Sequence, residues 1–305
     1  MKFRLITLAL GLSVCGLAFA DPSFTRSHGD TLSALKSDAG LAWTETKYGV
    51  NFYKAATDPT LFINAINFIP GVSWDPNINL NTSTFFYGDL GSGYSGHTYE
   101  LGTAINGEAN WNFDGILRRS GVVNSSVNAG LYDFRVEIIG GNSDTAEDVL
   151  ASFDNFIEVI PSLTAEATAT MSPAAIGPNQ ISQASVEFHN SSNRDIKTTT
   201  WYVAGFGLGD PGNSDQLVLD NFIGNWFNQT ITPSSSRQDL HSSWKATPSN
   251  APGIYQGNLG IIGGAYEGDW HGWKASGSSL EVVPEPATML AVGLGIAGLL
   301  RRRRA

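Results

Sequence analysis

The chain has 305 residues, with 18 Lys and Arg against 28 Asp and Glu, a net charge of −10. That balance argues against nucleic acid and against anionic membrane as partners. The single cysteine is Cys15, so the chain beyond it has no disulfide, no thiol nucleophile and no cysteine metal site.

Lys2 and Arg4 open a basic segment, residues 5–17 are mostly apolar, and Ala18-Phe19-Ala20 is a small-x-small site before Asp21. This is the layout of a signal peptide over residues 1–20, cut by signal peptidase between Ala20 and Asp21. Leu12-Ser13-Val14-Cys15 loosely fits a lipobox, the alternative, although Val directly before Cys fits it poorly. Six of the 18 basic residues are Lys2, Arg4 and Arg301 to Arg304, which leaves 12 against 28 acids, a net of −16, between the termini. Such a body suits a well-hydrated exported protein whose stability comes from packed cores.

Residues 31–36 could form a short helix, and residues 43–53 look strand-like. Asp58-Pro59 before apolar positions 61, 62, 65, 66 and 69 reads as a cap with Pro at the first helical position, though a buried strand fits nearly as well. Pro70-Gly71 ends that element. Residues 71–129 are short apolar and aromatic pieces cut by Gly, Asn, Ser and Pro, the pattern of an antiparallel all-β domain.

An internal repeat follows. Gly130-Leu131-Tyr132 and Val136 to Gly141 recur as Gly253-Ile254-Tyr255 and Leu259 to Gly264, at an offset of 123. The same offset carries Ile157-Glu158-Val159-Ile160-Pro161 onto Leu280-Glu281-Val282-Val283-Pro284. Two copies of one fold, each ending in a hairpin, account for this. Asp144-x-x-Glu147 in the first copy is shaped like a capping box for one short turn. Ala165, Ala167, Ala169 and Met171 alternate with polar residues at a period of two, the mark of a half-buried strand. The expected architecture is mainly β: two tandem antiparallel β-sandwich domains of immunoglobulin-like type, residues 21–161 and 162–283. Gly-x-Tyr invites comparison with the tyrosine corner of such folds. The short joint at Pro161-Ser162 implies stacked domains.

Candidates for chemistry are sparse. His28, His97, His189, His241 and His271 have no metal-ligand spacing among them, and no nucleophile elbow or phosphate loop is present. Asp144, Glu147 and Asp148, and likewise Asp210, Asn213 and Asp215, are oxygen-rich loops that could take Ca²⁺ but lack EF-hand spacing. Tyr266-Glu267-Gly268-Asp269-Trp270-His271-Gly272-Trp273 places three aromatics and two acids in a hairpin loop, a combination suited to sugar rings. The offset sets Trp273 opposite Leu150, a core position, and Trp270 opposite Glu147. That makes Trp270, with Tyr266, the exposed glycan-binding candidate.

The C-terminal end carries the clearest signal. Val283-Pro284-Glu285-Pro286 is followed by an uncharged apolar run over 287–300 and then by Arg301, Arg302, Arg303 and Arg304. The run would be about 21 Å long as a helix, short against a hydrocarbon core of about 30 Å. The arginines hold the cytoplasmic side and place the body across the membrane. Either a permanent anchor or a temporary one, removed by processing, meets this description. The tripeptide Pro284, Glu285, Pro286, the short apolar helix and the terminal Arg301 to Arg304, in that order, resemble the PEP-CTERM sorting signal of exopolysaccharide-producing Gram-negative bacteria. The resemblance covers residues 283–305. It implies transient inner-membrane insertion and recognition by an exosortase, a membrane-embedded cysteine transpeptidase that removes the tail, so that the protein ends at the cell surface or outside. It implies nothing about the body. The expected role is therefore non-enzymatic, a structural or adhesive component of the polysaccharide matrix, with no resident cofactor. The alternative is a secreted carbohydrate-binding protein with its site near Trp270; a secreted hydrolase is a third reading, for which no residue is nominated as nucleophile or as a matched acid–base pair.

Overall fold

A computed structural model describes residues 22–78, 86–90 and 97–284. The signal segment, Glu285, Pro286, the apolar run and Arg301 to Arg304 lie outside the described residues. The N-terminal half runs β1 (Ser23–His28), β2 (Thr31–Leu35), β3 (Glu45–Lys54), β4 (Leu61–Pro70), β5 (Phe86–Leu90), β6 (His97–Tyr99), β7 (Ala104–Ile105), β8 (Ala109–Ser120), β9 (Gly130–Gly141) and β10 (Asp148–Ile160). The C-terminal half runs β11 (Ala165–Ser172), β12 (Ala175–Ile176), β13 (Ile181–Asn190), β14 (Ile196–Leu208), β15 (Val218–Phe222), β16 (Gln229–Ile231), β17 (Ser236–Lys245), β18 (Gly253–Gly264), β19 (His271–Ser276) and β20 (Ser279–Val282). The protein is mainly β, and no helix occurs among the described residues.

Three expectations of helical structure are corrected. Residues 31–35 form β2, which lies parallel to β10 from Thr31↔Phe156 to Leu35↔Ile160. Residues 61–70 form β4, rich in the Ile and Phe that suit a pleated surface, and paired to β9 from Phe62↔Gly141 to Pro70↔Phe134. Asp58 caps a turn instead of a helix: it accepts a hydrogen bond from the Ala55 N–H at 2.7 Å. The buried Lys54 ammonium fastens that turn by donating to the carbonyls of Ala55, Asp58 and Gly107. The residues after Asp144 and Glu147 do not coil either; β10 begins at Asp148.

The N-terminal strands form two five-stranded sheets, β1-β3-β8-β5-β6 and β2-β10-β9-β4-β7. Tyr48, Val50, Phe52, Phe113 and Leu117 from the first meet Phe134, Val136, Ile138, Ile157 and Val159 from the second in one hydrophobic cluster. A second cluster gathers the C-terminal half around Phe188, Phe206, Trp226, Trp244, Tyr255 and Trp273. There β11-β13-β17-β15 pair in order, β12 and β20 flank β18 with β14 and β16 beyond it, and β19 links β11 to β18. Strand β11 alternates buried and exposed throughout, with Ala165, Ala167, Ala169 and Met171 inside.

The hairpins 130–160 and 253–282 pair in corresponding registers. Asp148↔Gly140, Val149↔Ile139, Ile157↔Tyr132 and Val159↔Gly130 in the first have counterparts at an offset of 123: His271↔Gly263, Gly272↔Ile262, Leu280↔Tyr255 and Val282↔Gly253. Each hairpin takes a short parallel strand on its last strand, β2 on β10 and β12 on β20. In each, a tyrosine hydroxyl donates to the carbonyl four residues upstream, Tyr132 to Asn128 at 3.0 Å and Tyr255 to Ala251 at 2.9 Å.

Tyr255 is fully buried, whereas the Tyr132 hydroxyl bond is exposed. Tyr255→Phe therefore removes a hydrogen bond made by a fully buried side chain and should cost about 1 kcal/mol, read as a lower urea midpoint. Tyr132→Phe should shift the midpoint less; an equal or larger shift would contradict the assignment.

Candidate functional site

Two places follow from the sequence: the start of the sorting tail and the aromatic hairpin 264–273. The tail leaves directly from the fold. Val282 is the last residue of β20 and is buried. The Val283 N–H still donates to the Ile176 carbonyl at 2.9 Å. Pro284 follows with no linker.

The aromatic hairpin lies against the N-terminal half. Residues 42–47 run beside it with four backbone hydrogen bonds: Ala42 N to Gly272 O at 2.6 Å, Gly272 N to Trp43 O at 3.0 Å, Trp270 N to Glu45 O at 2.7 Å and Lys47 N to Gly268 O at 2.9 Å. The backbones approach so closely that a Cβ on Gly272 would lie 2.4 Å from the Trp43 ring. Gly268 adds a φ of +94° and 2.7 Å to the Lys47 carbonyl, so only glycine suits it. Trp43 in turn meets Tyr202 edge-on at 4.5 Å.

Both glycan candidates are engaged in this junction. Trp270, expected to be exposed, is half-buried, with the Lys47 ammonium 3.4 Å from its ring centroid. The Tyr266 hydroxyl donates to Glu158 Oε2 at 2.5 Å, and Arg194 donates to the same oxygen at 2.9 Å. Burial opposes the charge on Glu158, but the Arg194 and Tyr266 bonds hold its carboxyl below the ordinary value. Trp273 is 1 % exposed and packs on Phe188 at 5.2 Å, as its register with Leu150 indicated.

Beneath the aromatics sits a buried polar cluster that the sequence did not single out. Asp269, fully buried, accepts from the Ser33 N–H at 2.9 Å, the Ser33 hydroxyl at 2.6 Å and the Tyr266 N–H at 2.9 Å. His271 Nε2 lies 3.2 Å from the Ser33 hydroxyl and Nδ1 lies 2.6 Å from the Thr44 hydroxyl. With Asp269 ionised, the Ser33 proton goes to it, so Nε2–H donates to Ser33 and Nδ1 accepts from Thr44. Ser33 separates His271 from Asp269, so the imidazole does not receive the carboxylate support that a nucleophile-activating triad uses. Burial pushes the Asp269 carboxyl up to about 7. Burial, with the nearby Arg119 charge, drives His271 down to about 3. The faint sequence signal was the contrast at the offset of 123, where Ala146 and Asp148 stand opposite Asp269 and His271.

Of the two acidic loops, the one at Asp210, Asn213 and Asp215 is occupied by local bonds, while Asp144, Glu147 and Asp148 stand exposed. Asp210 Oδ1 accepts from Gly212 N at 2.7 Å, and Asp215 accepts from Asn250 and Ala251 at 2.6 and 3.0 Å. Among the described residues no group of three or more His, Cys, Asp or Glu is arranged to hold a metal ion. No described helix is long and apolar enough to cross a membrane.

These groups set the pH dependence of stability. His241, buried with Nε2 on the Gly260 carbonyl at 3.1 Å, is driven down to about 4. Unfolded histidines protonate near 6.5, so between pH 4 and 6.5 the unfolded chain binds two more protons at these sites and stability rises with pH. Asp269 acts oppositely, because its folded carboxyl keeps a proton that the unfolded one loses near 3.8. The net is one proton, a rise of about 1.4 kcal/mol per pH unit over that window. Thermal melts should show stability falling on acidification from pH 6.5, and Asp269→Asn should steepen the fall. A flat profile would contradict the assignment.

Comparison with known proteins gives one family. The model of the PEP-CTERM protein-sorting motif matches residues 282–304. No curated protein matches the chain. Among solved structures, a protein of Corynebacterium diphtheriae described as membrane anchored is 9% identical over 87% of this chain and 59% of its own, with a TM-score of 0.27. The adhesin InvE of Yersinia pseudotuberculosis is 12% identical over 86% and 58%, with a TM-score of 0.24. The fibronectin(III)-like modules of CbhA from Clostridium thermocellum are 10% identical over 86% and 94%, with a TM-score of 0.27. The chain thus spans under two thirds of the first two, and likeness of this degree carries no argument about fold or function. The chain thus carries a PEP-CTERM protein-sorting motif at residues 282–304, which implies export, processing by an exosortase, and a destination at the cell surface or outside it.

Proposed function

We propose that the exported body is a non-enzymatic structural or adhesive component of the extracellular polysaccharide matrix, freed from its tail by an exosortase. The observation that carries the reading is the position of the sorting motif: it begins at Val282, the last residue of the last strand. The domains of this reading are residues 21–161 and 162–283, tandem immunoglobulin-like sandwiches descended from one duplicated unit. The matched hairpin registers and the paired tyrosine bonds support that division. Tyr266 and Trp270 then serve the joint between the domains. Ser33, Asp269 and His271 are each at most 1 % exposed, so this cluster is given a structural role in the reading.

The joint makes the two units one stiff body, which suits a load-bearing role. The two Ser33 bonds to Asp269, the Glu158 ion pair and the four backbone bonds all cross between residues 30–160 and residues 194–273. Ser33→Ala removes one of the three donors to a fully buried carboxylate and should cost about 1–3 kcal/mol.

Intact-mass measurement on protein recovered from the surface of producing cells tests the processing. The expected species ends near Pro286. Finding Arg301 to Arg304 on the mature surface form overturns it. Deletion of the chain in those cells should lower cell aggregation or the retention of matrix; unchanged values of both count against the matrix role.

A further inference from the structure

The strongest unassigned feature lies on the C-terminal half, apart from the joint. Residues 221–236 contain no charged side chain, in a chain of net charge −10. Two rings of this run are half-exposed, Phe222 at 47% and Phe227 at 50%. Both close on Trp201 of β14, with centroids 5.7 and 4.7 Å away. Single exposed apolar residues are ordinary, but three rings sharing contacts at the surface form a patch.

The patch is built, not draped. Trp226, between the two phenylalanines, is fully buried and its indole N–H donates to the Leu240 carbonyl at 3.2 Å. Arg237 donates to the Asn225 carbonyl at 2.9 Å and is neutralised by Asp239 at 2.9 Å. Gln229 donates its side-chain amide to the Phe227 carbonyl at 2.8 Å. The rings are thus fixed before any ligand arrives, which lowers the entropy cost of binding.

Around the rings stand Asn221, Asn225 and Asn228, all exposed. Their side-chain amides make no hydrogen bond among the described residues, and each offers both donors and an acceptor. Fixed aromatic faces with free amides and no charge match one ligand chemistry. The apolar C–H face of a neutral sugar ring stacks on an aromatic ring, and its hydroxyls exchange hydrogen bonds with amides. A phosphate or a uronate would call for an uncompensated cation; Arg237 is held by Asp239, and Lys197, which lines a pocket with Asn228, shares that pocket with the Glu267 carboxylate. An apolar side-chain surface, with no polar groups of its own, would leave three amides unanswered. We propose that the face formed by Phe222, Phe227 and Trp201 binds a neutral polysaccharide chain. This rests on the matrix reading above and gives it a site.

The test is affinity electrophoresis of the exported protein through gels cast with dextran, with the neutral fraction of the producing cells' own exopolysaccharide, or with alginate as the anionic comparator. Retardation by a neutral polymer and not by alginate is expected. Phe222→Ala/Phe227→Ala should weaken it at least tenfold, and Asn225→Ala/Asn228→Ala should weaken it severalfold. Phe227→Tyr should keep it. Because these side chains stand half in solvent, thermal melts of the variants should stay close to the parent. Unweakened retardation of the Phe222→Ala/Phe227→Ala variant, or preference for alginate, overturns the proposal. So does a parent that sediments as a dimer and a variant that sediments as a monomer, since the patch would then belong to a second copy. A parent that stays with the matrix but is retarded by no neutral polymer overturns this site and leaves the matrix reading standing. Retardation lost in the variant, with no protein in the matrix, keeps the site and removes that reading.

Discussion

One carboxylate, held out of water, fixes how the two halves of this protein meet. Asp269 gives up its hydration completely and takes in return three hydrogen bonds, two from Ser33 of the N-terminal half and one from its own hairpin. Those bonds do not fully offset burial, since the carboxyl is still pushed up to about 7. A buried polar group of this kind is poor at adding stability and good at choosing one geometry. Any slip of the hairpin against residues 42–47 would strand Asp269, Ser33 and His271 without partners. The apolar part of the contact agrees with it: Leu35, buried among the N-terminal strands, and Leu41 pack into the C-terminal cluster.

The same hairpin register does different work in the two halves. Between β9 and β10 the connection carries Asp144 and Glu147 to the surface. Between β18 and β19 the equivalent connection has a neighbour to meet, and its sequence differs accordingly. Alanine and aspartate at 146 and 148 stand opposite Asp269 and His271, and Val149 stands opposite Gly272. The glycine removes a side chain where the Trp43 ring arrives. What separates the halves is therefore the chemistry of one loop, set by what covers it.

This explains which parts of the structure were legible in the sequence. The alternation at Ala165 to Met171 reads directly, because one face of β11 is buried and the period of a strand is two. Trp273 was placed in the core by its match to Leu150, a relation internal to the hairpin. Strand β2 was not legible, because its ladder partner among the described residues, β10, lies more than a hundred residues away. Asp58-Pro59 misled for a local reason: a carboxylate accepting backbone N–H bonds looks alike in sequence at a helix start and in a turn. Trp270 is indeed more exposed than Trp273, but its partial cover by Lys47 could not be read, because Lys47 comes from the other half. The Ser33, His271 and Asp269 cluster joins positions 236 and 238 residues apart, beyond any spacing rule.

The C-terminal end ties fold to destination. The last core residue, Val282, is also the first of the sorting motif, and the last strand bond, from Val283 to Ile176, comes before Pro284. Every described side chain that fills either cluster lies at or before Val282. A cut beyond the Pro-Glu-Pro tripeptide therefore leaves both clusters of described residues complete. With no cysteine after Cys15 to staple it, that completeness rests on packing alone, chiefly on Trp226, Trp244 and Trp273, the largest of the fully buried side chains. The tail can then be read as an address that the fold does not need, which is the condition for removing it after delivery.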